Sequence, residues 1–440
     1  MQSSEVSKRY SPDAGMATTL PVAAGFVGGQ SSAPQRSNTA MAADFLNLEF
    51  RMESGRALPV LSRFDGPITV AMAGDVPGTA RTELAHVIAR FRSEAGLDIR
   101  AIDPGIKGRI TILFYPRAEL QRVVPSAACF VVPRVASLAD YKAKRNTQTV
   151  DWAFITRRDQ VAIFVPSDTS PQEVRDCLHE ELAQAMGPLN DLYSLPDSVF
   201  NDDNFNTVLT GFDMLMLRVH YSPDLSAGMN EAEVAKRLPA ILAKLNPAGE
   251  TRKAAATPLG RRSWIDAVTN AFNPRGSQAA RKQAADRMLS IAAAQGWNDS
   301  RLGFSYFAIG RLNVASDPQA AVAAFSQAGR IYRAMPGGAI HAAHVDMQLA
   351  AIALQTGQPG QAIQFADRAI PAVKQAENAA LLATLMLLKA EAHEALGQTD
   401  AARALRLDSQ PMARYGFGAE QQVRQRAQEI ASIAARGSRS

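Results

Sequence analysis

The stretch from Thr169 to Tyr221 constrains this chain more than any other. Its centre, Cys177-Leu-His-Glu-Glu-Leu-Ala-Gln-Ala-Met-Gly-Pro-Leu-Asn-Asp191, carries acids at fixed offsets along one helix. Ser170, Pro171 and Glu173 supply an N-cap, a proline at the first helical position and a capping-box acid, and Gly187 stands where a helix stops. The run predicts about four turns of helix. On it Glu180, Glu181, Gln184, Gly187 and Asn190/Asp191 fall at offsets i, i+1, i+4, i+7 and i+10/i+11. Neighbouring helix positions point about 100° apart, so Glu180 and Glu181 cannot line one pocket equally. Glu181 is the candidate general base if the adjoining sheet desolvates it; otherwise Glu181 and Gln184, one turn apart, read as a buried hydrogen-bonded pair.

A chain of 440 residues with 47% apolar content can bury at least two cores, and no run of 18 apolar residues is present to span a bilayer. The net charge of +5, from 47 basic against 42 acidic residues, is dispersed rather than clustered with aromatics, which argues against nucleic-acid binding. Cys129 and Cys177 are the whole thiol inventory. Their number alone leaves open one disulfide in an exported protein or two buried thiols in a cytosolic one. Position favours the disulfide. Cys129 opens the apolar run Phe130-Val131-Val132 after the Gly108 to Tyr115 strand, and Cys177 lies midway along the helix that the sheet covers, so the two can meet across one layer.

Residues 1–42 are rich in Ser, Gly, Ala, Pro and Thr without amphipathic period and read as a flexible leader. Thr18, Thr19 and Pro21 interrupt the apolar core that an export signal needs. A signal clipped upstream fits better, and the opening Met1-Gln2-Ser3-Ser4 suits a mature lipoprotein as well as a plain flexible start. Leu46, Leu48 and Phe50, then Ile68, Val70 and Met72, alternate as strands do. Thr79 to Ala95 is a helix with Leu84, Val87, Ile88 and Phe91 on one face, ended by Gly96, and Gly108–Tyr115 and Gln160–Val165 are further strands. Beyond the organising helix come Ser198-Val199-Phe200, then Thr210 as an N-cap with Asp213 in its first turn, and Pro247–Pro258 reads as a linker. Ser263 caps a helix to Phe272, and Asn273-Pro274-Arg275-Gly276 is the expected boundary.

The offsets on the organising helix resemble the metzincin pattern HExxHxxGxx(H/D), with no histidine at any ligand position. In that resemblance Glu180, Gln184, Asn190 and Asp191 hold degenerate metal positions, Glu181 the base position, and Phe200 the place of the Met-turn methionine. The segments also resemble, over about residues 43 to 270, a bacterial family of exported proteins known only as a domain of unknown function. Its members carry E-E-x-x-Q-x-x-G, a following S-(I/V)-F-N-D and L-T-x-x-D…L-R…Y. The resemblance implies a zincin-like α+β domain, a long helix packed on a twisted sheet with the motif helix beneath. It implies no activity of its own. No bound cofactor is expected, zinc being the metal the pattern would take, because neutral Gln184 and Asn190 amides compete poorly with water for it. His179, His220 and His344 read as surface or packing histidines.

From Ser277 the composition shifts to Ala, Gln and Leu with helical period. Ser316, Gly357 and Gly397 recur at spacings of 41 and 40, each followed five residues on by Ala321, Ala362 or Ala402. Ala308, Ala350 and Ala390 mark the preceding helices, and Phe325, Leu349, Ile363, Leu387 and Leu396 are expected to fill the layer between pairs. This resembles tetratricopeptide repeats with lengthened helices, closed by a basic helix from Glu420 to Ala435. The expected organisation is therefore a leader at 1–42, a degenerate metallopeptidase-like domain at 43–275 and an all-α repeat solenoid at 277–440. The expected function is a noncatalytic, exported envelope protein in the periplasm or outer cell envelope, binding protein partners through the repeats and meeting membrane only through an N-terminal lipid anchor. The alternative is an unusual hydrolase using Glu181.

Overall fold

The computed structural model of the chain describes residues 6–10, 32–103, 105–125, 127–252 and 260–437. The leader and signal readings for 1–5 and 11–31, and the expected linker from 253 to 258, lie outside the described residues.

In chain order the first half comprises β1 (Ser7–Tyr10), α1 (Asn38–Glu49), β2 (Ile68–Gly74), α2 (Ala80–Glu94), β3 (Ile99–Ala101), β4 (Ile110–Tyr115), α3 (Arg117–Gln121), β5 (Ala127–Pro133), α4 (Leu138–Lys144), β6 (Val161–Pro166), α5 (Pro171–Met186), α6 (Gly211–His220) and α7 (Glu231–Leu245). One mixed six-stranded sheet runs β1-β5-β6-β4-β2-β3. β3, β2, β4 and β6 are parallel, while β5 pairs antiparallel with β6 and β1 antiparallel with β5. Alternation sorts the strands onto two faces. Cys129, Val131, Ile163, Val165, Ile110 and Ile112 join α1, α2, α5 and α6 in the main core. Phe130, Val132, Ala162 and Phe164 face a smaller cluster with Leu138 and Tyr141 of α4.

Two sequence expectations change here. Leu46, Leu48 and Phe50, read as a strand, belong to helix α1 and its C-cap. Met41, Phe45 and Leu48 lie at i, i+4 and i+7 and are buried, and Ser37 accepts from the Ala40 amide as N-cap, so a helical period was present beneath the alternation. The second concerns the leader, of which Ser7–Tyr10 forms the edge strand β1 and Asn38–Ala42 the start of α1.

The second half is all helical: α8 (Arg262–Ala271), α9 (Gln278–Ala294), α10 (Ser300–Asn313), α11 (Pro318–Ala334), α12 (Ala339–Gln355), α13 (Pro359–Gln375), α14 (Ala379–Ala395), α15 (Thr399–Phe417) and α16 (Glu420–Gly437). α10/α11, α12/α13 and α14/α15 form successive helix pairs. Gly357 and Gly397 turn the chain within the second and third pairs at φ of 70° and 73°, a region where glycine meets no steric penalty. Ala308, Ala350 and Ala390, and Ala321, Ala362 and Ala402, are all buried where paired helices approach. Leu396, expected in that layer, is instead 47% exposed, because it is the C-cap of α14 rather than a member of its buried face. Helix α8 begins at Arg262 without a side-chain cap, and Trp264 on it joins the core of the second half rather than the first.

Candidate functional site

Helix α5 leaves β6 after a short turn and crosses the main core between the sheet and the helical half. Ser170 accepts from the Glu173 amide and Pro171 opens the first turn, as the sequence indicates. Every residue of the helix except Glu173 is buried, although many are polar. Buried polar groups need partners, and α5 finds them largely in the helical half and in the loop before α6. The Gln172 side chain donates to Asn378 Oδ1 and accepts from the Ala380 amide. Arg175 pairs with Asp176 and donates to the Glu377 carbonyl, and His179 Nδ1 accepts from the Leu209 amide. His220, the second of the three packing histidines, is buried with its Nδ1 2.9 Å from Glu49 Oε1. Cys177, on the opposite flank, is bonded to Cys129 of β5, with 6.0 Å between the Cα atoms.

One and two turns further along α5, Glu180, Glu181 and Gln184 come together with Asp191 beyond the helix. Gln184 donates from Nε2 to Asp191 Oδ2 at 3.4 Å. Burial first, and then the carboxylates of Asp202, Glu53, Glu180 and Glu181, push the Asp191 carboxyl well above the usual carboxylate range. Gln184 Oε1 and Asp191 Oδ1 are both buried without a hydrogen-bond partner among the described residues. Asn190 does not join this group. Its amide donates to the Asn47 carbonyl of α1 and its Oδ1 accepts from the Asp191 amide, which makes it a turn-forming residue.

Below the site, Ser198 donates to Asp213 Oδ1, the Val199 and Thr210 amides donate to Asp213 Oδ2, and Ser198 Oγ accepts from the Phe200 amide. Phe200 is wholly buried in the main core and its carbonyl accepts from the Leu192 amide. Asp213 thus caps α6 and holds the Ser198–Phe200 turn at once, and burial raises its pKa to about 6.

The C-terminal end of α5 depends on Arg158, which carries no sequence signal, and on Tyr221, the tyrosine that closes the L-R…Y segment. The buried guanidinium of Arg158 donates to the carbonyls of Gln184, Ala185 and Gly187, and Tyr221 donates from its hydroxyl to the Met186 carbonyl. These satisfy the orphan acceptors of the last turn. Glu53 was likewise invisible in sequence, since it shares neither an element nor a period with the motif, whereas Asp202 closes the Ser198-Val199-Phe200-Asn201-Asp202 run of the family pattern but carried no sign that it would face Asp191.

Zinc needs imidazole, thiolate or ionised carboxylate ligands. Here the positions offer one carboxylate side chain, Glu180, a neutral Gln184 amide, an Asp191 carboxyl biased toward its neutral form and an Asn190 amide committed to α1. Among the described residues no three His, Cys, Asp or Glu side chains converge as a cation site requires. The residues therefore do not fit zinc.

No curated protein matches this chain. Residues 38–240, which run from the start of α1 into α7 and enclose the whole candidate site, match the model of a family described as a protein of unknown function, DUF2927.

Proposed function

We propose that this protein is a noncatalytic scaffold: a metallopeptidase-like domain that has kept the helix geometry of a metzincin site, joined to tetratricopeptide-like repeats that bind protein partners. The observation that carries this reading is the Gln184–Asp191 contact, in which a neutral amide and a carboxyl of raised pKa occupy the degenerate ligand positions. Generating hydroxide at neutral pH depends on a bound cation that lowers the pKa of its water, and this donor set is poorly suited to hold one. The zincin-like assignment is supported by α2 and α5 packing together against one face of the sheet. The repeat assignment is supported by three helix pairs recurring at 40–41 residues with alanines at their contacts. The Cys129–Cys177 bridge favours an oxidising compartment, hence export to the periplasm or outer envelope.

One observation favours a second reading. An Asp191 carboxyl of raised pKa beside Glu180 and Glu181 places an acid next to potential bases, which suits a hydrolase using Glu181. The two are separated by metal content after zinc incubation and desalting, together with casein and gelatin turnover by wild type and Glu181→Gln. The scaffold reading expects neither stoichiometric zinc nor turnover. Stoichiometric zinc with proteolysis lost in Glu181→Gln would overturn it.

A further inference from the structure

A partner-binding face on the repeats is first sought on the row of first helices, α10, α12 and α14, but the chain covers that row itself. The Phe205 ring, from the loop before α6, packs against Phe304 and Phe307 of α10 and against His341 and His344 of α12. Helix α16 folds back across α12 and α14. A groove of about 690 Å³ lies open between the second helices α11 and α13, floored by α12. It extends along α11 from Pro318 to Arg333, about 22 Å at 1.5 Å per residue, which spans about six residues of extended peptide.

Its chemistry is polarised. Val322, Leu349, Ile352 and Phe365 give an apolar middle, and Arg333 and Arg368 are the charged residues of the lining. Both guanidiniums converge on one carboxylate, Asp346 of α12. Arg333 Nη1 lies 3.1 and 3.3 Å from its two oxygens, and Arg368 donates to them from Nε at 2.8 Å and Nη2 at 2.5 Å. The Asp346 side chain is only 2% exposed and its oxygens are taken, whereas the two arginine side chains are 38% and 47% exposed. Two cations thus face one spent anion, and each guanidinium has donors left over. The arrangement is also pre-set. A Cβ on Gly329 would stand 2.6 Å from an Arg333 terminal nitrogen, so glycine there lets that guanidinium lie along its helix, and the Arg368 guanidinium stacks over Phe365 at 5.1 Å.

We propose that this groove binds an extended acidic segment of a partner protein, its apolar side chains on the Val322–Ile352 floor and a carboxylate side chain against Arg333 and Arg368. The surplus of one positive charge matches a single carboxylate better than a dianionic phosphate, and the apolar floor demands neighbouring hydrophobic residues. The inference rests on the scaffold reading and gives it a site and a partner chemistry.

The test uses the full chain against acetylated, amidated hexapeptide libraries in which apolar residues are joined to acidic, neutral, basic or phosphoserine positions. The acidic set should bind about ten-fold tighter than the neutral one, consistent with a charge-assisted hydrogen bond, and lose that preference in Arg368→Ala. Val322→Asp should abolish binding. Should Arg368→Ala melt early because Asp346 loses a partner, Arg368→Lys keeps the charge without the fork and should still weaken acidic peptides several-fold. Equal binding of neutral or basic sets, or tighter binding of the phosphoserine set, overturns the proposal. Acidic preference that survives both Val322→Asp and Arg368→Ala places binding elsewhere and overturns the groove while leaving the scaffold reading intact. Absence of any peptide binding together with zinc-dependent turnover overturns both.

Discussion

Nε2 of His341 on α12 lies 2.8 Å from Oδ2 of Asp203 in the loop before α6, and both side chains are sealed from solvent. This contact seats the Asn201–Thr207 loop in the helical half beside Phe205, and Asp203 also accepts from the Phe205 amide and the Asn201 side chain. Removing one partner of a buried pair strands the other. Asp203→Ala should therefore lower stability by about 3 kcal/mol, and in urea unfolding the Asp203→Ala/His341→Ala double variant should lose less than the sum of the singles.

The disulfide gives a second expectation. It joins residues 48 apart, and in the chain-entropy picture closing such a loop is worth about 4 kcal/mol. Cys129→Ala/Cys177→Ala should lose about that much, and unfolded, unreduced wild type should titrate no free thiol.

Arg158 supplies donors to three carbonyls at the end of α5 from a buried position. Arg158→Lys keeps the charge but cannot reach all three, and should cost about 3 kcal/mol by leaving buried acceptors unmet. Hydrogen exchange of the last turn of α5 should rise with it; unchanged protection there would remove Arg158 from the role of cap.

Asp213 predicts a pH dependence with a definite sign. Its pKa in the folded protein is raised to about 6 by burial, above the ordinary value of 3.8. Between those values the folded state binds more protons than the unfolded state, so stability from this group is greatest at low pH, falls as pH rises to about 6 and is flat beyond. The fall is on the order of 3 kcal/mol. Urea midpoints of wild type and Asp213→Asn from pH 4 to 8 should diverge along that slope, and parallel curves would refute it.

A fragment comparison tests the boundary. Trp264 of α8 is wholly buried in the second core and donates to Ser305 of α10. A fragment of residues 260–437 should melt more cooperatively by circular dichroism than one starting at Ser277.

Helix α5, the α2 face and the disulfide were legible because each rests on local signals: Ser170 and Pro171 as start markers, the spacing of Leu84, Val87, Ile88 and Phe91, and two cysteines in predicted facing layers. The missing parts are non-local. Ser7–Tyr10 has no apolar period and becomes a strand only because β5 offers an edge. Arg158 and Glu53 reach the site from separate loops, and in α1 the strand-like alternation of Leu46, Leu48 and Phe50 overlies the helical step of Met41, Phe45 and Leu48. In the repeats, the alanine marks located the pairs but could not show that Phe205 and α16 would occupy the first-helix side.

The polar flank of α5 also imposes an order on synthesis. Arg175 completes its bonding with the Glu377 carbonyl, 202 residues downstream. At ribosomal speeds of about 5–20 residues per second, Arg175 emerges about 10–40 s before that partner does. Throughout that interval the nascent domain carries an unfinished, charged seam on its central helix, and an escort that shields it would act on the growing chain rather than on the finished molecule.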